Sequence, residues 1–143
     1  MSNFSDYIEN KLVDHIFRAA SFTKPTNLYI ALFTSAPSDS GGGTEVSGGS
    51  YARQALNPSD TNWYATQGGT TGNSSGTGGA TSNAVDVVFP QATANWGTVV
   101  ALAIFDAVTG GNLLFQGSLS VSKTINTGDQ AKLAAGDCDI VLS

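Results

Sequence analysis

The residues of this chain that could do covalent or coordination chemistry are few and far apart. There is one histidine, His15, and one cysteine, Cys138, with 11 acidic residues spread along the chain. Nucleophilic catalysis by a triad needs an imidazole held between a Ser or Cys and a carboxylate. His15 sits between Asp14 and Ile16, and no nucleophile-elbow motif occurs, so it reads as a surface or half-buried structural side chain. A zinc site needs three or four Cys, His or carboxylate ligands, and one His with one Cys does not supply them. Asp137 and Asp139 fall on the same side of a strand and could flank a cation, but no third acidic ligand lies nearby. Gly41-Gly42-Gly43 and Gly68-Gly69 lack the Gly-Lys-Ser/Thr that makes a glycine loop grip phosphates. Asn73-Ser74-Ser75 fits a glycosylation sequon, with no secretion signal to support it. The chain is therefore read as non-enzymatic, with no cofactor and no metal.

What remains is chemistry of contact. Two glycine-rich, nearly chargeless loops stand out, PSDSGGGTEVSGGS at 37–50 and TQGGTTGNSSGTGGATSN at 66–83. Loops longer than about 12–15 residues are usually functional or disordered. Six of the eighteen residues in the second are glycine, so ordering it costs unusual backbone entropy. A partner or a neighbouring subunit is the expected source of order. The partner-binding candidates are Trp63 and Tyr64, which interrupt a polar stretch, with Gly68, Gly69, Gly72, Gly76, Gly78 and Gly79. Aromatic side chains among Asn, Gln and Thr also suit stacking on sugar rings, a second binding mode. Trp96, at a strand entry before Gly97, is read as core.

These residues must be positioned by a β-rich body. Phe4, Ile8, Leu12 and Ile16 recur every four residues, which predicts an amphipathic helix over 4–19, capped by Asn3. Asp6 suits its first turn, and Asp14 and Arg18 are spaced to pair. From position 27 the period changes to two. LYIALF at 28–33 predicts a strand buried on both faces, followed by strands at 50–56 and 84–89, the latter closed by Pro90. Segments 99–106 and 113–119 predict a hairpin across Thr109-Gly110-Gly111-Asn112. Thr124-Ile125 leads into a turn at 126–129. The tail alternates, Cys138, Ile140 and Leu142 against Asp139 and Val141. The expected fold is mainly β: an antiparallel sandwich or open barrel of six to seven short strands, with one N-terminal helix. One domain is expected over 1–143, the β body occupying 27–143 and the loops 37–50 and 66–83 flexible.

Composition narrows the partners. Charged residues are 12% of the chain, about half the usual ~25%, which suits a subunit among subunits. The net charge of −5 and six scattered basic residues argue against nucleic acid and against a basic membrane tether. With a single cysteine no intrachain disulfide forms, and Cys138 is expected to pack as a small hydrophobe. The first 20 residues carry Asp6, Glu9 and Asp14 with no continuous apolar core, unlike a signal peptide. The longest apolar run, 99–105, is too short to span a bilayer. A soluble protein made in a cytoplasm is expected.

Motifs along nearly the whole chain resemble a family of small tailed-bacteriophage virion proteins. They are an opening SDYIENKL, then LYIALFTSAP, GGTEVSGGSYARQ, VFP, WGTV, IFD and GGNLLF. The family is generally labelled tail fibre or tail protein, and some members are capsid cement (decoration) proteins. The resemblance implies a structural virion protein assembled in the bacterial host cytoplasm, with no catalytic residues. Its implied partners are the major capsid protein or other virion proteins, and homo-oligomers on the virion. A cement role stabilising the capsid shell is the first expectation, because a single small domain lacks the heptads of a fibre shaft. A tail-fibre or tail-tip component binding a host receptor or glycan is the alternative.

Overall fold

A computed structural model describes residues 3–142; positions 1, 2 and 143 of the expected span lie outside the described residues. The chain opens with a two-residue strand, β1 (Asn3–Phe4), and one helix, α1 (Asp6–Phe17). Ser5, not Asn3, is the N-cap: its backbone is extended (φ −78°, ψ 157°) and its Oγ accepts from the Ile8 N–H. That hydroxyl also donates to the Leu113 carbonyl, and the Ser5 N–H donates to Leu114 O. The helix is therefore anchored at its N-terminus. Phe4 is drawn out of the expected 4–19 helix to pair with Phe115, ring centroids 5.2 Å apart. Helix 4–19 is thus shortened at both ends, and the sheet begins before position 27.

The remaining strands are β2 (Tyr29–Ser35), β3 (Thr44–Glu45), β4 (Gln54–Ala55), β5 (Ala80–Ser82), β6 (Val87–Gln91), β7 (Gly97–Phe105), β8 (Leu113–Ile125), β9 (Gln130–Leu133) and β10 (Asp139–Val141). All pairings are antiparallel. A six-stranded sheet runs β1-β8-β7-β2-β3, with β4 also on β2, while β5–β10 and β6–β9 form two separate ladders. Alternation along β2 explains its continuous burial: Ile30 and Leu32 enter one cluster, Ala31 and Phe33 the other. The larger cluster joins Ile30, Leu32, Ile104 and Leu114 to Val87, Phe89 and Ile140 of the two ladders and to Ile8 of α1. The core thus lies between the main sheet and the ladders, in a sandwich not closed into a barrel.

Four differences from the sequence expectation have local causes. The 50–56 strand shrinks to Gln54–Ala55, because Ser50 takes a positive φ of 65° and Tyr51 turns inward. The strand expected to end at Pro90 continues through it. The β6–β9 register shifts between Val88 and Gln91, so a residue without an N–H sits where no ladder bond is needed. Strand β8 runs on to Ile125, with an irregularity between its pairings at Ser118 and Lys123. Finally, the 66–83 loop ends in β5, which pairs with the C-terminal strand.

Candidate interaction surface

The first glycine-rich segment is bound to the sheet by a polar cluster. Glu45 lies in β3 and Arg53 just before β4, both against β2. The Arg53 Nε and Nη2 donate to the two Glu45 oxygens at 2.8 and 2.9 Å, and Nη1 donates to the carbonyls of Ala107 and Gly110. The guanidinium lies 3.7 Å over the Phe105 ring, and its side chain is only 7% exposed. Tyr51 Oη donates to Glu45 at 2.9 Å and accepts from the Leu32 N–H at 3.0 Å. Burial pushes the Glu45 carboxyl up, but hydrogen bonds from Arg53 and Tyr51, with the guanidinium charge, outweigh it and leave the group below its usual range. Burial is also the main reason the Tyr51 phenol is pushed up, with the Glu45 charge adding to it. Gly49 supplies a close approach: a Cβ there would stand 2.9 Å from the Trp96 Nε1, which donates to the Gly49 carbonyl. Tyr51, Glu45 and Arg53 belong to the quoted TEVSGGSYARQ stretch, so that motif spells a structural clasp between loop, sheet and hairpin turn.

The second segment holds itself. Gln67 bridges the loop, its Nε2 donating to Asn73 O and its Oε1 accepting from Ser75 N. The Thr66 N–H meets Ser74 Oγ, and Ala65 and Gly69 pair through their backbones. Gly68, Gly69, Gly72, Gly76, Gly78 and Gly79 are exposed and all have positive φ. Trp63 is half-buried, its Nε1 donating to Leu56 O at 3.1 Å, and Tyr64 is half-buried beside it. Trp63, Tyr64, Gly72 and Leu142 line a cleft of ≈ 450 Å³ with Ile104, Phe115 and Ile140. The structure thus brings both aromatics and one of the six glycines to a single cleft. Gly68, Gly69, Gly76 and Gly78 have open space where a Cβ would project, whereas one at Gly79 would meet the Leu142 carbonyl at 3.2 Å.

One residue that the sequence reading passed over closes this region. Asn83 is fully buried, and its Nδ2 donates to the carbonyls of Val85 and Ala134 at 2.8 and 2.9 Å. Its Oδ1 accepts from the Cys138 N–H at 2.8 Å. Both amide hydrogens donate and the oxygen accepts one bond, so every polar atom of a side chain that burial would otherwise penalise has a partner. No local signal announces this role, because two of its partners lie about fifty positions downstream.

The other singled-out side chains have structural partners. The His15 Nδ1 accepts from the Phe22 N–H at 3.0 Å, and Asp137 accepts from the Ala134 N–H in a turn. Cys138 is buried, and burial, aided by the Asp139 charge, pushes its thiol up to about 11. Trp96 is core, as its position at a strand entry predicted. Asp14 and Arg18 pair at 3.4 Å on the surface. Among the described residues no group of three or more His, Cys, Asp or Glu is placed to hold a metal ion. No helix there is long and apolar enough to cross a membrane.

Helix α1 departs most from a simple amphipathic reading. Only Ile8 is buried, while Val13, Ile16 and Phe17 are 49%, 63% and 80% exposed. Their i, i+3, i+4 spacing puts them on one face, so the C-terminal half of the helix shows a solvent-facing apolar stripe.

No curated protein sequence matches this chain. A family described as podophage GP4 fiber I protein gp80 does, over residues 3–141, a span covering both glycine-rich segments, the Glu45–Arg53 clasp and the whole sheet. The chain belongs to this family of phage fibre proteins.

Proposed function

We propose that this protein is a non-enzymatic structural component of a podophage fibre assembly, attached to other virion proteins through the exposed end of α1. The observation that carries the reading is the stripe of Val13, Ile16 and Phe17, large apolar side chains left in water on a helix whose other end is firmly anchored. Contiguous exposed apolar surface of this kind marks interaction sites, and family membership supports a virion neighbour as the partner. Trp63, Tyr64 and the loop glycines are kept as a second contact region. Incubating purified protein with particles lacking it tests the attachment. An Ile16→Ser/Phe17→Ser variant of normal fold should fail to bind; binding equal to the unaltered chain would refute the role of the helix.

Capsid cement is the second reading. It is favoured by one observation: among the described residues the one helix is 12 residues long and the strands pair in short antiparallel ladders, with no elongated repeat from which a shaft could be built. Copy number per virion separates the two. A count close to that of the shell subunit favours cement, and a small number set by the tail symmetry favours the fibre.

A further inference from the structure

Helix α1 has one face packed and one face free. Ile8 is buried, and Tyr7 and Leu12 pack against the core. At about 3.6 residues per turn the opposite side carries Asp6, Glu9, Val13, Ile16 and Phe17, and all five are exposed. This free face is acidic at the start of the helix and apolar at its end, while Lys11 lies away from it over the Tyr7 ring. A surface of opposite character lies between β8 and β9, where the main sheet and the β6–β9 ladder end side by side. Among the described residues no strand pairing joins those two edges. Leu102, Leu119, Ala131 and Leu133, each only half-buried, line a cleft of ≈ 300 Å³ there. Lys123 and Lys132 are exposed and line it too, and no acidic residue does. Lys132 shares its charge with Asp86 at 3.4 Å, whereas Lys123 has no ion-pair partner among the described residues. Strand β8 also bulges here: Leu119 to Ser122 stand opposite the single Val100 of β7. A bulge of this kind blunts an edge against the addition of another strand. A helix, which packs through side chains alone, meets no such obstacle.

We propose that the β8–β9 cleft receives the free face of α1 from a second copy of the chain. Val13, Ile16 and Phe17 would cover the half-buried leucines, and Asp6 and Glu9 would lie towards Lys123 and Lys132. The two surfaces are complementary in sign as well as apolar, which steers encounter and fixes register. Resting on the reading of α1 as the attachment element, this contact names the neighbour that α1 meets. Helix face and cleft are different patches of one molecule, so the contact is heterologous and repeats head to tail. An open row leaves one α1 free at its end, available to a different virion protein.

Sedimentation velocity of the full chain, up to about 1 mM, reads the association. The native chain should form dimers and larger species, fewer of them at about 0.5 M salt. Ile16→Ser/Phe17→Ser should stay monomeric, and Lys123→Glu should associate about tenfold more weakly. These side chains are exposed, so both variants should keep the native unfolding midpoint. Mixed in equal amounts, at a concentration where each alone is monomeric, the two should form one-to-one pairs and nothing larger. One then supplies an intact cleft and the other an intact helix. Adding Glu9→Lys to Lys123→Glu should restore association. Overturning results are a native chain monomeric throughout, association undiminished by Lys123→Glu, or mixed variants that do not pair. Particle binding is read separately. A monomeric native chain whose α1 variant still loses particle binding overturns the self-contact alone. Head-to-tail association beside undiminished particle binding by the α1 variant overturns the virion attachment alone.

Discussion

Replacing Arg53 by alanine removes a group that ties three separated segments together. Its fork holds both oxygens of Glu45 at 2.8 and 2.9 Å, its Nη1 holds the Ala107 and Gly110 carbonyls, and its plane covers Phe105. Breaking a buried ion pair from one side costs about 3–5 kcal/mol, because the remaining charge stays out of water. The Glu45 side chain is 26% exposed, so water partly returns to it, and about 2–4 kcal/mol is the expected loss. The guanidinium–ring contact adds about 0.5–1 kcal/mol. Arg53→Lys keeps the charge but not the planar fork, and should lose about half as much. Urea unfolding followed by fluorescence reads the effect: with m of about 1.5–2 kcal/mol/M, a total loss of about 2.5–5 kcal/mol for Arg53→Ala should lower the midpoint by about 1.3–3.3 M at unchanged m. The pH arm follows from the lowered Glu45 pKa. The stability it confers is complete above the unfolded carboxyl's ordinary 4.5 and is lost as pH falls through the lower folded value. The gap between the native chain and Arg53→Ala should therefore be flat near neutrality and narrow in acid below the ordinary carboxyl value. A loss within about 0.5 kcal/mol, the range of ordinary surface substitutions, or a gap unchanged through acid, would refute the clasp as a stabilising element.

Three further outcomes are expected. Asn83→Ala should cost about 3 kcal/mol in the same unfolding assay, since it leaves the buried Cys138 N–H without its acceptor and the part-buried Val85 and Ala134 carbonyls without their donor. Cys138 should resist alkylation at mildly alkaline pH until the chain unfolds. Its thiol rises from an ordinary 9.0 to about 11, so its contribution to stability is present below 9.0 and lost as pH climbs toward 11; rapid modification of the folded protein would contradict its burial. Excising 68–73 and rejoining the ends with a short turn should leave the unfolding midpoint almost unchanged, because bonds within that stretch are local, whereas a deletion extended through Asn83 should abolish folding by removing β5 and the Asn83 anchor.

The sequence by itself determined the elements whose periodicity is strong. The buried run of β2, the β7–β8 hairpin, the turn after Ile125 and the mainly β class all follow from side-chain alternation and from turn residues, which act over a few positions. Motifs along the chain carried the family. Tertiary structure decided what depends on residues far apart. Ser5 is the cap because Leu113 and Leu114, more than a hundred positions away, take its hydroxyl and N–H. Asn83 is an anchor because its partners at Ala134 and Cys138 fold back over it. The apolar residues of α1 looked like a core-facing stripe, yet three of them face water, because the sheet offers a surface only to the first turns of the helix. Spacing reveals which side chains share a face; what that face meets is set by where the rest of the chain packs.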